Sequence, residues 1–340
     1  MYKIIIDAMG GDNAPKAIID GTVAALHEYE DIFVYLVGKE EVIREHLAGQ
    51  NYDKERVEIV DAREEIEMAE PPVAAVRTKK DSSMVVGMRM ATEGKGDIFI
   101  TAGSTGAAVA GGTLVNRRAP GVLRPALAPI LPSAGGGVLL IDCGANVDCK
   151  PAYLQQFAVM GSIYMRLIMG IENPRVGLLN IGAEDTKGTP LQKESYALLK
   201  QASDNGIINF VGNVEAREVP LGAVDVVVCD GFSGNVLLKS IEGTALFMAS
   251  QLKKMFGGSL GGKIGYLFCR KGVKDFKKMM DYREIGGTML LGISKPVIKA
   301  HGSSDALAIR NAVRQAKQAV ESGIAEEIRA NISSMKVPKE

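Results

Sequence analysis

The sequence predicts an α/β fold: a mainly parallel sheet with helices on both faces and a protruding helical hairpin. Three observations predict it. Short β-rich runs alternate with helical patterns along the chain. Those runs are apolar throughout rather than alternating, which suits strands buried on both faces. The one segment that breaks the alternation, residues 241–281, reads as two amphipathic helical stretches around a glycine-rich bend, Gly257-Gly258-Ser259-Leu260-Gly261-Gly262.

The elements follow in order. Ile4-Ile5-Ile6 precedes a helical stretch from Pro15 to Tyr29, and Phe33 to Val37 precedes one that starts near Glu40. Asp97 to Ile100 leads into a small-residue helix from about Gly106. Val138 to Ile141 precedes the helix from Pro151 to Met169. Val176 to Leu179 and Val224 to Val228 repeat the theme. Strand–helix alternation of this kind implies parallel crossovers. The 340 residues suit one large catalytic domain over 1–332, or two intimate subdomains, with 241–281 as a hairpin insertion. The polar tail 333–340 is expected to fray.

Lys plus Arg and Asp plus Glu are both 40, so the formal charge is zero and no global signal for nucleic acid exists. Any charged partner must meet a local patch. Cys143, Cys149, Cys229 and Cys269 lack the short spacing of a zinc or redox motif, and reduced, mostly buried thiols are expected. The start lacks a basic region followed by a long apolar stretch, so no signal peptide is expected. No window approaches the roughly 18 unbroken apolar residues of a membrane span. A cytoplasmic protein able to lie against a membrane is expected.

The chemistry is concentrated where strands end. Ligands of parallel sheets bind beyond the carboxyl ends of strands. Six polar, glycine-rich turns stand there: 7–12, 101–106, 142–146, 180–184 with Lys187-Gly188, 230–235 and 300–304. One such turn is turn geometry; six argue for a shared cleft. Backbone N–H groups of Gly and Ser at helix starts suit an anion. The phosphate- and substrate-binding candidates are therefore Asp7, Gly10, Gly11, Gly103, Ser104, Thr105, Gly106, Asn146, Asn180 and Ser233. Helix capping is the plain alternative for Ser104 and Thr105. Lys187 stands in a loop from which a cation could reach the pocket, or else it is a solvated surface lysine. His301 follows apolar Val297-Ile298 in a glycine-flanked turn just before a helix that Ser304 or Asp305 can cap. That position points to a catalytic or oxyanion role. His27 and His46 sit in helical, charged surroundings. A P-loop, a G-x-G-x-x-G after the first strand and a G-x-S-x-G elbow are all absent.

Taken together the turns resemble the bacterial phosphate acyltransferases of phospholipid synthesis. The resemblance rests on Asp7-Ala8-Met9-Gly10-Gly11-Asp12 with Ala14-Pro15, Ala102 to Ala107, Asp142 to Asn146, Gln156 to Gly161, Asn180 to Glu184 with Lys187-Gly188, Asp230 to Asn235 and His301 to Ser304. They occur in the family's order from residue 4 to about 322. Ser104 stands where the family pattern has Asn, and Ile285-Gly286-Gly287-Thr288-Met289 differs from the family's Tyr-Gly-Gly-Ala-Pro. The resemblance implies a fold similar to phosphate acetyltransferase and to the isocitrate and isopropylmalate dehydrogenases. It also implies transfer of a fatty acyl group from acyl carrier protein to inorganic phosphate, with no cofactor and no metal, by a homodimer. Under it, Lys187 binds phosphate or the oxyanion, Asn235 and His301 polarise the thioester carbonyl, and Asp230 holds the loop.

Two surface expectations concern the hairpin. The acidic carrier is expected on a basic segment from Lys253 to Lys278, with Lys263, Arg270, Lys271 and Lys274 as docking residues; a solvated face is the alternative. An anionic membrane surface is expected to be met by Phe256 and Leu260, the alternative being an interface with a second copy. Three other functions compete: a phosphate acetyl- or butyryltransferase using coenzyme A, a metal-dependent hydroxy-acid dehydrogenase with ligands among Asp142, Asp148, Asp225 and Asp230, and a non-enzymatic membrane scaffold.

Overall fold

The structure, a computed structural model, describes residues 1–279 and 281–334. Its strands are β1 Tyr2–Asp7, β2 Ile32–Gly38, β3 Val57–Asp61, β4 Ile98–Thr101, β5 Ala126–Ala128, β6 Ile130–Leu131, β7 Val138–Ile141, β8 Arg175–Asn180, β9 Asn209–Glu215, β10 Val226–Val228, β11 Thr288–Leu291 and β12 Val297–Lys299. Its helices are α1 Lys16–Glu28, α2 Glu40–Leu47, α3 Pro72–Thr78, α4 Ser83–Thr92, α5 Thr105–Gly111, α6 Pro151–Leu167, α7 Pro190–Asp204, α8 Gly231–Gly257, α9 Leu260–Met279, α10 Ala306–Glu321 and α11 Ile324–Ser334.

These strands form two sheets. One has the order β3-β2-β1-β4-β12-β11-β5 and the other β6-β7-β10-β8-β9. Within the first, β11 runs antiparallel to both neighbours, and in the second β6 runs antiparallel to β7; the remaining pairs are parallel. The short stretch β5–β6 carries the chain from one sheet to the other. Local hydrophobic pattern finds strands but not which of them pair, so the single anticipated sheet resolves into two.

Apolar runs explain the layering. Ile4, Ile5 and Ile6 are all fully buried, and burial of each is worth roughly 1.5–3 kcal/mol. Ile4 and Ile6 join a cluster with Ile18 and Ile19 of α1 and Ile309 and Val313 of α10. Ile5 joins Phe99 and the α4 residues Met84, Val85 and Met88 on the other face. Helices therefore cover both sides of the first sheet. In the second, Leu139 and Ile141 face Phe157 and Met160 of α6. Helix starts carry the expected signals. Ser82, Ser104, Asp230 and Asp305 accept from the first-turn amides of α4, α5, α8 and α10. Thr189 and Gln192 form a capping box on α7.

The hairpin starts earlier than residue 241. Its first helix is α8, which begins at Gly231 at the end of the second sheet, and only Gly258 and Ser259 separate it from α9. Helix α8 buries Gly231, Gly234 and Leu237 and little beyond them, and α9 buries none of its residues. Phe256 and Tyr266 stack edge-on across the bend, with centroids 5.6 Å apart. Of the anticipated tail, α11 reaches Ser334, and 335–340 lie outside the described residues. No helix among the described residues is long and apolar enough to cross a membrane.

Candidate active site

Parallel register brings the six turns to the carboxyl ends of the strands, three on each sheet. On the first sheet, Asp7 ends β1, Thr101 ends β4 and Lys299 ends β12, with Lys299 paired to Thr101. On the second, β7 runs into Asp142, β8 ends at Asn180 and β10 runs into Asp230.

Asp7 organises the first group. Its Oδ1 accepts from the Met9 and Gly10 amides at 3.1 Å each, and its Oδ2 accepts from the Thr101 hydroxyl at 2.7 Å. Ser83 bonds the same carboxyl. Thr101 Oγ1 in turn accepts from Gly103 N at 3.0 Å. Burial raises the Asp7 pKa, against the pull of these hydrogen bonds. A Cβ on Gly10 would lie 2.5 Å from Asp7 Oδ2 and 2.8 Å from Gly103 N, so the two turns meet only because residue 10 has no side chain. Gly302 O accepts from Asp12 N at 2.8 Å, and the Asn13 amide donates to Ser303 O at 3.1 Å. Asp7, Gly10, Gly11, the 103–106 turn and His301 thus form one assembly. Within it Ser104 Oγ accepts from Ala107 N as the cap of α5.

His301 is exposed at the rim of this group. Its Nδ1 accepts from Ser303 N at 3.2 Å and lies 2.8 Å from Ser303 Oγ. An accepting Nδ1 in a neutral ring leaves the proton on Nε2. Partial burial lowers the His301 pKa, Glu242 raises it, and Lys239 and Lys299 lower it. Lys239 and Glu242, paired at 2.7 Å on α8, also act on Cys143 beside Asp142. The charges of α8 therefore act on both groups of turns.

Asp142 organises the second group. Buried, with a pKa raised by that burial, it accepts from the amides of Leu127 (2.8 Å), Cys143 (2.8 Å) and Asn146 (2.7 Å). Leu127 belongs to β5 of the first sheet, so this carboxyl also ties the sheets together. The Asn146 side-chain amide donates to Pro125 O at 2.7 Å and to Asp142 Oδ2 at 3.1 Å, which makes it a brace of the loop. Asn146 O accepts from Gly231 N at 2.7 Å. Asp230 caps α8 through Ser233 N and also accepts from the Ser233 hydroxyl, both at 2.8 Å. Asn235 follows on the exposed side of the same first turn. Asn180 accepts from Ile181 N at 2.8 Å and donates to Lys187 O at 3.1 Å, closing the 180–188 loop. Lys187 is half exposed, with Glu184 its ion partner at 3.9 Å. Val147, Ile181, Phe232 and Val236, next in sequence to these turns, are exposed apolar side chains.

Asp225 does not join Asp142 and Asp230. It precedes β10 at the opposite end, holding Arg175 at 2.9 Å. Among the described residues no group of three or more His, Cys, Asp or Glu is arranged to hold a metal ion. The thiols near Asp142 are held protonated. Burial pushes Cys149 up to about 12 and raises Cys143 and Cys229 well above the ordinary value.

One residue escaped the sequence reading. Lys299 is 6% exposed, and its ammonium donates to Ala102 O at 3.2 Å and to Ala300 O. Burial lowers its pKa to about 8, although Asp7 and Asp12 oppose the shift. The available signal was a lysine interrupting an apolar run two residues before His301.

Comparison with known proteins adds kinship to this geometry. The family model described as fatty acid synthesis protein matches residues 2–327. The phosphate acyltransferase of Alkaliphilus oremlandii is 49% identical over 333 residues, covering 98% of each chain. That of Bacillus cereus is 50% identical over 334 residues, again covering 98% of each. Among solved structures, the EutD phosphotransacetylase from Staphylococcus aureus superposes with a TM-score of 0.58 at 16% identity, over 95% of this chain and 94% of that one. A phosphotransacetylase from Streptococcus pyogenes gives 0.58 at 18% identity, over 98% and 94%. Those two likenesses show a shared fold.

Proposed function

Because this chain belongs to the fatty acid synthesis protein family, whose curated members matched here are phosphate acyltransferases, we propose that it converts acyl-[acyl carrier protein] and inorganic phosphate to acyl phosphate and free carrier. The observation that carries the reading is identity near one half across almost the whole chain.

The chemistry needs little from the protein beyond placement. Inorganic phosphate takes its second ionisation close to neutral pH, so a substantial share is already the dianion and little help from a general base is needed. The carrier's thiol, of ordinary pKa about 8.5, leaves readily as a thiolate. A phosphate oxygen attacks the thioester carbonyl carbon, the C–O bond forms, and the C–S bond breaks as the carbonyl is restored. The site must hold the anion, align it and stabilise the oxyanion. Gly11 and the Ser104–Gly106 start of α5 supply main-chain N–H groups, those of Gly10 and Gly103 being taken by Asp7 and Thr101, and Lys187 supplies a cation. Asn235 and the Nε2–H of His301 supply donors to the oxyanion, and Asp230 holds the start of α8. The protonated cysteines near Asp142 support direct transfer, since none of these three stands ready as a thiolate to take the acyl group. Exposed Val147, Ile181, Phe232 and Val236 offer an apolar track for a fatty chain.

The hairpin supports the choice of donor. Lys263, Arg270, Lys271 and Lys274 are all exposed on α9, a basic face suited to an acidic carrier. Exposed Leu260, beside Phe256 at the bend, suits a peripheral contact with anionic lipid, and the reading includes a homodimer acting at the cytoplasmic membrane surface.

The test is detection of acyl phosphate from purified protein, phosphate and one of three donors: a long-chain acyl carrier protein, the same acyl coenzyme A, or acetyl coenzyme A. Fastest turnover with the carrier supports the reading. Preference for a coenzyme A ester makes the enzyme a coenzyme A-dependent phosphate acyltransferase instead. No acyl phosphate from any donor overturns the activity. A covalent acyl-enzyme trapped by rapid quench and mass spectrometry overturns direct transfer.

A further inference from the structure

Lys299 is an unusual choice for its position. Strand β12 has three residues, and Val297 and Ile298 are fully buried. An apolar third residue would extend the core, and a buried cation pays for lost hydration unless something uses it. A structural lysine in such a place normally answers a carboxylate. Here Asp7 is occupied by Met9, Gly10 and Thr101, and Lys299 forms no ion pair among the described residues. Its partners are instead two main-chain carbonyls, Ala102 O and Ala300 O. These immediately precede Gly103 and His301, in two neighbouring turns of the candidate phosphate site. An ammonium has three N–H groups, and the third has no partner among the described residues.

We propose, resting on the phosphate-binding reading above, that Lys299 is a positioning residue: it ties the Gly103–Gly106 turn to the His301 turn from beneath and supplies the buried positive charge that favours an anion between them. The two parts of the role are separable. The hydrogen bonds set the spacing of the turns. The charge raises affinity for phosphate without requiring direct contact with it, because Coulomb attraction is strong where water is excluded. The groups facing Lys299 are Asp7 on β1, Asp12 in the turn after it, and His301, which itself faces Lys239 and Glu242 of α8. With the ammonium held down to a pKa of about 8, the charge is present at neutral pH and lost just above it.

The experiment measures binding of inorganic phosphate by calorimetry, without any thioester, to wild type, Lys299→Gln and Lys299→Arg. Glutamine keeps two N–H donors and removes the charge. Lys299→Gln is expected to bind phosphate about tenfold or more weakly while melting near wild type. In turnover the loss should fall on KM for phosphate and spare KM for the acyl donor, a split that general loosening of the fold would not produce. Wild-type affinity for phosphate should fall as pH rises from about 7 to about 9. Lys299→Arg, charged throughout, should flatten that fall. Equal phosphate affinity in Lys299→Gln and wild type overturns the proposal. If Lys299→Gln does not fold, the titration of wild type against Lys299→Arg decides, because phosphate's own ionisation is common to both, and an equal pH dependence of the two overturns it. Wild type that binds phosphate yet makes no acyl phosphate overturns only the functional reading. Wild type that binds no phosphate overturns both.

Discussion

Gly234 lies so close to Asp142 that a Cβ at position 234 would sit 1.9 Å from the Asp142 carbonyl oxygen. The first turn of α8 is thereby seated on the backbone of the loop after β7, and Asn235 follows directly on that seat. Gly234→Ala must push the helix off its seat. Overpacking of this kind costs about 1–3 kcal/mol, and turnover should fall as Asn235 shifts. Gly243, farther along the same helix, has no atom within 4 Å of its would-be Cβ. Gly243→Ala is expected to stabilise by roughly 0.5–1 kcal/mol. Urea denaturation of both variants checks the contrast, and equal effects would mean that the close approach is not there.

His301→Ala removes a donor from the rim of the first group of turns. A loss of about 10²–10³ in kcat is expected, with little change in melting temperature, since the ring is exposed. The imidazole is already neutral at pH 7 because its pKa is lowered, so the rate from about pH 7 to 8 should show no step due to His301. Retention of most activity by His301→Ala at saturating phosphate would make the residue structural.

Lys187→Ala should reduce turnover strongly and leave the melting temperature nearly unchanged, because the side chain is half exposed and its ion pair with Glu184 is long. Steady-state kinetics with varied phosphate checks this. Near-normal kcat/KM removes Lys187 from the reaction.

Lys299 also links pH to stability. Below about pH 8 both folded and unfolded chains carry its proton, and the folded state bears a buried cation. Between about 8 and the ordinary value of 10.5 only the unfolded chain holds the proton, so stability rises with pH. Across that window wild type should gain roughly 3 kcal/mol relative to Lys299→Met, at 1.36 kcal/mol per unit. Paired denaturation curves at neutral and alkaline pH measure the difference, and a constant difference would contradict the burial of a cation.

Charge reversal at Arg270 and Lys271 should raise KM for the acyl carrier and weaken its salt dependence, leaving KM for phosphate alone. Initial rates at low and moderate ionic strength are the readout. An unchanged carrier KM locates the dock elsewhere.

Leu260 is 77% exposed at the bend of the hairpin. Wild type is expected to float with anionic liposomes and Leu260→Glu to stay behind, since a carboxylate at the apolar tip opposes both burial and anionic lipid. Equal flotation, or none by wild type, leaves the hairpin as an interface for the carrier or a second copy.

Much of the arrangement of turns was legible in the sequence because its signals are local. An apolar strand followed by Asp, Gly and Ser reads the same in sequence and in space, and all six turns stand at strand ends as read. Caps at Asp230 and Asp305 were equally legible, being set by residues one turn apart. Partnerships at long range were decided only by the tertiary structure. Thr101 reaches Asp7 across 94 residues, and Leu127 crosses from one sheet to bond Asp142 on the other. Asn146 and Asn180 are polar turn residues by sequence, yet their side chains close their own loops. Lys299 reads as a charge at the end of a short apolar run. It becomes a buried cation because β12, from the far end of the chain, pairs with β4 and draws the residue beneath two turns. Hydrophobic pattern and turn chemistry act over a few residues and so are written in the sequence. Strand pairing and the desolvation it imposes depend on which distant segments meet, and that is settled only when the sheets close.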